Sequence, residues 1–172
     1  MFLKGFKEKS NQKFINKLID SRKAGLSSKK IESVGILVNL SEFDDFETLR
    51  IFYESLKINP NKIKIVGFTE DKDLVESSIE LLYSEKQIGW KGKIKNNELI
   101  SFINTNFDVL VSFYKKDNLE LNLVTALSKA NFKVGLSNYD ERLHDLILDV
   151  YTNNFEVFKN EFIKYLTILK KL

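Results

Sequence analysis

The strongest constraint on this chain is a repeated change of period: short continuous apolar runs alternate with stretches whose apolar residues recur every three or four positions. Val34–Leu40 is a continuous run, and Ile63–Phe68, Phe107–Phe113 and Phe132–Leu136 read as further strands. Runs of that length read as strands buried on both faces. Between them, Phe46, Leu49, Tyr53 and Leu56 predict a helix from about Asp44 to Lys57, capped by Asp44 or Asp45 and stopped by Asn59-Pro60-Asn61. Asn96–Asn104 and Leu119–Ala130 read as further helices, the latter capped by Asp117 or Asn118. Phe155–Leu169 closes the pattern as an amphipathic helix. Such alternation predicts an α/β, Rossmann-like fold with a mostly parallel sheet of five to six strands, flanking helices and an N-terminal helical extension.

Two places are ambiguous. Asp71–Tyr83 fits one helix, or a short turn followed by a strand at Ile79–Tyr83, and the strand is favoured. Leu146–Val150 predicts a sixth strand, but the gap before it is short for a helical crossover, so an antiparallel edge is expected there. Gly89 and Gly92 bracket Trp90 in a turn, where a tryptophan is expected to be core.

Charge divides the chain in two. Residues 1–31 hold nine basic and two acidic side chains, +7, and the whole-chain +3 leaves −4 for residues 32–172. This predicts a basic N-terminal helical extension over 1–31 and a Rossmann-like α/β domain over 32–172. Ser10 to Ala24 reads as its helix, with Phe14, Ile15, Leu18 and Ile19 on one face, Ser10 as N-cap and Gly25 after its end. Leu26–Lys30 reads as a connector. Upstream, Phe2, Leu3 and Phe6 stand among lysines. Phe2, Lys4, Phe6, Lys7, Lys9, Lys13 and Lys17 are the candidate partner-binding residues. Three readings are open for them: attraction to nucleic-acid phosphates, peripheral contact with an anionic membrane, or a solvated face of a packed helix.

Absences narrow the chemistry. There is no Cys, so disulfides, thiolate catalysis and Cys-ligated metals are excluded, and one His leaves a single imidazole. No metal site and no cofactor are expected. No apolar run is long enough to span a bilayer, and Lys4, Lys7, Glu8 and Lys9 interrupt any signal-peptide core, so a cytoplasmic location is expected. Asn39-Leu40-Ser41-Glu42-Phe43 follows the first strand without the glycines a dinucleotide needs, and puts a carboxylate where phosphate would sit. The strand ends offer Ser41, Thr69, Tyr114, Asp117, Ser137, Asn138, Asp140 and Arg142 as candidate ligand-binding residues. Asp71-Lys72-Asp73 has the spacing of a metal-chelating pair, though acidic residues also favour helix starts. His144, near Asp140, Arg142 and Asp145, is the only histidine base on offer, with no nucleophile-elbow serine to serve.

Two stretches carry a resemblance: Ile88-Gly89-Trp90-Lys91-Gly92-Lys93-Ile94, and Phe107–Val111 continuing through Leu127–Gly135 to Asp140, Arg142, Leu143 and Asp145. With Lys164–Leu169, they resemble a family of small proteins of unknown function from Bacteroidota bacteria. The resemblance is most evident from about residue 62 onward and brings no activity with it. Phe107–Gly135 is also similar to a unit of the N-terminal lobe of heptosyltransferase-like glycosyltransferases, whose nucleotide-sugar site needs a second lobe. The leading expectation is a non-enzymatic binding module that docks on a larger protein or ribonucleoprotein through its basic segment. The alternative is a transferase-like enzyme holding a phosphorylated or nucleotide-activated ligand at the strand ends.

Overall fold

The computed structural model describes residues 2–23, 29–77, 80–136 and 139–172. Its first helix, α1 (Phe2–Ser21), begins upstream of Ser10, which lies inside the helix and does not cap it. Gly5 alone is too weak a breaker to stop it, costing about 1 kcal/mol against Ala. The first turns are also tied down: Lys4 pairs with Glu85 at 3.0 Å, and Lys7 Nζ donates to the Ile88 carbonyl at 3.4 Å. The proposed stop at Gly25 and most of the connector fall outside the described residues.

The remaining elements are β1 (Val34–Asn39), α2 (Phe46–Ser55), β2 (Ile63–Phe68), α3 (Lys72–Ser77), β3 (Leu82–Tyr83), α4 (Asn97–Asn104), β4 (Val109–Phe113), α5 (Leu119–Leu127), β5 (Phe132–Gly135), β6 (Leu146–Ile147) and α6 (Phe155–Ile168). The ambiguous stretch thus holds both a short helix and a short strand. Side-chain caps decide three helix starts: Asp45 accepts from Thr48 N, Asn96 from Leu99 N and Asn118 from Leu121 N, each at 2.9 Å. Asp71 Oδ1 accepts from Asp73 N at 3.0 Å and Leu74 N at 3.3 Å, so its carboxylate serves the start of α3.

The strands form one sheet in the order β3-β2-β1-β4-β5-β6. Every neighbouring pair is parallel. The expected antiparallel edge is therefore overturned: β6 runs parallel to β5, with Val134 opposite Leu146 and Gly135 opposite Ile147. A two-residue strand needs no full helical crossover, and a single 3-10 turn, Glu141–Leu143, makes the return. Asp145 then fastens the edge, its N–H donating to Lys133 O at 2.8 Å and its carboxylate accepting from Lys133 N at 2.7 Å.

Period-two alternation sends side chains of each central strand into two cores. Ile36, Val38, Ile65, Val111 and Phe113 pack beneath α2 and α6. There Phe52, Phe155, Phe158 and Phe162 meet with ring centroids 5.6 to 6.1 Å apart. Leu37, Val66, Leu110 and Tyr114 face the other way, into a core completed by α4, α5 and two residues of α1, Ile15 and Ile19. Helix α1 is thereby bound to the body along one face. Gly92, at φ +70°, is seated against it: its N–H donates to buried Asn11 Oδ1 at 3.0 Å, and a Cβ there would strike the Phe14 ring.

Candidate functional site

In this strand order the chain leaves β1 for β2 on one side and returns to β4 on the other. The crevice above β1 and β4 is where ligands of open α/β sheets bind. Here it is closed by the chain itself. Glu42 Oε2 accepts from Lys115 N at 2.8 Å and its Oε1 from Lys116 N at 3.1 Å. Asn39 Nδ2 donates to the same carboxylate at 3.2 Å, while Asn39 Oδ1 accepts from Ser41 N and Oγ at 3.1 and 2.9 Å. Lys115 Nζ donates to Leu136 O at 2.9 Å, pairs with Asp149 and lies over the Tyr151 ring. Backbone N–H groups aimed into such a crevice are the usual anchor for a phosphate. Glu42 supplies that anion internally.

The other candidate ligand-binding residues are spread over separate clusters. Tyr114, fully buried, donates to Asn122 Oδ1 at 3.1 Å and shares a 3.0 Å bond with Thr125. Burial pushes its phenol well above the ordinary tyrosine value, beyond use as a base. Asn122 also donates to Asp117 at 2.7 Å, linking those two candidates. Thr69 Oγ1 accepts from Asp71 N at 3.1 Å. Asp140 and Arg142 pair with each other at 2.8 Å, and Arg142 reaches Asp20 of α1 at 3.1 Å. Ser137 and Asn138 lie outside the described residues. No cluster of three or more His, Cys, Asp or Glu with metal-binding geometry occurs among the described residues.

Under the end of α1 lies a polar cluster that sequence reasoning missed. Lys133, buried in β5, donates from Nζ to Thr125 O at 2.6 Å. Desolvation, and then the charge of Arg22, lower its pKa to about 7, against the opposing pull of Asp145. Arg22 pairs with Asp145 and donates to Leu143 O at 3.4 Å. His144 is buried, its ring flat against Gly135, where any Cβ would collide with it. Neither ring nitrogen has a hydrogen-bond partner among the described residues. Burial and then the nearby Lys133 charge push its pKa down to about 3. A neutral imidazole enclosed in this way is a packing group, and Asp145 is turned to Arg22 and Lys133 instead of orienting it.

The outer side of α1 is built differently. Helical spacing places Phe2, Phe6, Lys9, Lys13 and Lys17 along one ridge, opposite Asn11, Ile15 and Ile19. Phe2, Leu3 and Phe6 are 86, 75 and 58% exposed, as loosely held apolar residues of a docking segment would be. Lys9, Lys13 and Lys17 are exposed too, and no carboxylate pairs with them among the described residues. Phe2, Gly5, Phe6 and Lys9 line one shallow groove on this side; Lys13, Phe14, Lys17 and Lys91 line another. Lys4 and Lys7, by contrast, are turned to the body. Trp90 is 48% exposed and not core, because its turn packs on α1 through Gly92 and leaves the indole at the rim.

No curated protein and no solved structure matches the chain. A family model described as "Family of unknown function (DUF6913)" matches residues 7–169, a span that takes in most of α1 and the whole sheet. The match carries no activity and no functional residues, in keeping with the resemblance seen in the sequence. The chain belongs to this family of unknown function, DUF6913.

Proposed function

We propose that the protein is a non-enzymatic binding module, in which the α/β body is a scaffold that presents the outer ridge of α1 to a larger, negatively charged partner. The observation that carries this reading is the ridge itself: Phe2, Phe6 and three exposed lysines on one line of a helix whose other face is fixed in the core, with exposed Leu3 beside them. Exposed apolar groups of this size are costly to leave in water unless something covers them. The crevice above β1 and β4 supports the same reading, because Glu42 fills the position a phosphate would need.

The test compares three chains expressed at native level and recovered with whatever they bind: wild type, the ridge variant Lys9→Glu/Lys13→Glu/Lys17→Glu, and Glu42→Ala. The expected result is loss of associated material from the ridge variant and its retention by Glu42→Ala. The reverse pattern would move the binding site to the strand ends and revive the transferase-like reading.

A further inference from the structure

We infer that the partner of the α1 ridge is an anionic lipid bilayer, on which the protein sits peripherally. This rests on the docking reading above and names the surface docked upon. No described helix is long and apolar enough to cross a membrane, so the contact would be confined to one leaflet.

Three features of the ridge favour lipid over the other anionic partners. Apolar and basic residues are segregated along the helix: Phe2, Leu3 and Phe6 occupy the first turns, and Lys9, Lys13 and Lys17 the turns after them. The phosphates of a nucleic-acid duplex, whose bases are stacked on one another, would answer the lysines and leave the phenyl rings in water, whereas a bilayer accepts rings below its headgroups and lysines among them. The cations of the ridge are also all lysine. An ammonium is a compact, hydrated point charge suited to a diffuse layer of headgroups, while fixed, bidentate recognition calls for arginine. Finally, Lys91 joins Lys13 and Lys17 at one groove, which Asp20 also lines. Half-exposed Trp90 precedes it in the same turn, and tryptophan suits the headgroup level. An apolar anchor plus a basic patch is the two-part signal that holds a protein reversibly on a charged leaflet.

The experiment is co-sedimentation of the full chain with vesicles of phosphatidylcholine alone and of phosphatidylcholine mixed one-to-one with phosphatidylglycerol. Binding is expected to the anionic vesicles only, and to weaken as salt is raised. Lys9→Glu/Lys13→Glu/Lys17→Glu should lower the partition coefficient by about a hundredfold or more. Phe2→Ser/Phe6→Ser should lower it by about tenfold. Thermal melts followed by the single tryptophan should be unchanged in both, showing that the loss is not one of folding. Equal binding to both vesicle types, binding to neither, or ridge variants that bind like wild type would each overturn the lipid assignment. If vesicles fail but RNA or a protein is recovered in a ridge-dependent way, the lipid inference falls and the docking reading stands.

Discussion

The charges at the sheet and those on the outer ridge of α1 are handled in opposite ways. At the sheet, three charges have answers within the chain: Glu42 meets two backbone N–H groups, Arg22 meets Asp145, and Lys133 meets the Thr125 carbonyl. On the ridge, Lys9, Lys13 and Lys17 extend into solvent beside exposed phenyl rings. A charge buried without a partner costs free energy, so the interior charges are paired, while buried His144 is held neutral. The surface is under no such requirement, and the ridge departs from an ordinary solvated face by adding Phe2, Leu3 and Phe6.

The contrast predicts a graded set of outcomes. The largest concerns the attachment of α1. Arg22→Ala removes one partner of a mostly buried ion pair and should destabilise the fold by about 3 kcal/mol in urea melts. Glu42→Ala, which strips the acceptor from Lys115 N and Lys116 N, should cost about 2 kcal/mol. Glu42→Gln, keeping one acceptor oxygen, should cost less. If Glu42→Ala proved neutral or stabilising, the crevice would be a strained site kept for a ligand, and the contrast would fail.

Lys133 gives a pH test of the interior. Below about pH 7 its amino group is protonated in folded and unfolded chains alike. From there to the ordinary lysine value of 10.5 only the unfolded chain holds the proton, so folding stability rises with pH across that window. The slope approaches about 1.4 kcal/mol per pH unit. Lys133→Met should abolish this difference in paired melts; parallel pH profiles would show that the amino group is not buried as described. The smallest effect belongs to the ridge: reversing Lys9, Lys13 and Lys17 together should move folding stability by less than about 0.5 kcal/mol. A larger loss would make the ridge structural.

Much of this was readable in the sequence, and the failures have physical causes. Val34–Leu40 and Ile63–Phe68 declared themselves because strands buried on both faces need no polar alternation. Glu42 was recognised as hostile to phosphate, but not as the group that closes the crevice, since its partners Lys115 N and Lys116 N are backbone and leave no mark in side-chain patterns. The parallel β6 was missed because a length rule for helical crossovers was applied to a two-residue strand. Residues 2–9 lack a full apolar face, so nothing local extends the helix above Ser10; it is secured instead by the pairing of Lys4 with Glu85 and the reach of Lys7 to Ile88, across long sequence separations. His144, the one histidine base the sequence offers, is enclosed, because Gly135 opposite it leaves room for a flat ring.

The central claim is that the protein binds through the α1 ridge and not through the crevice at the strand ends. The most direct measurement places Lys9→Glu/Lys13→Glu/Lys17→Glu and Glu42→Ala side by side in one quantitative binding assay on anionic vesicles, below the melting temperature of both. The account predicts that the ridge variant loses binding while remaining as stable as wild type, and that Glu42→Ala binds normally despite its lower stability. Normal binding by the ridge variant, with loss in Glu42→Ala, would contradict it.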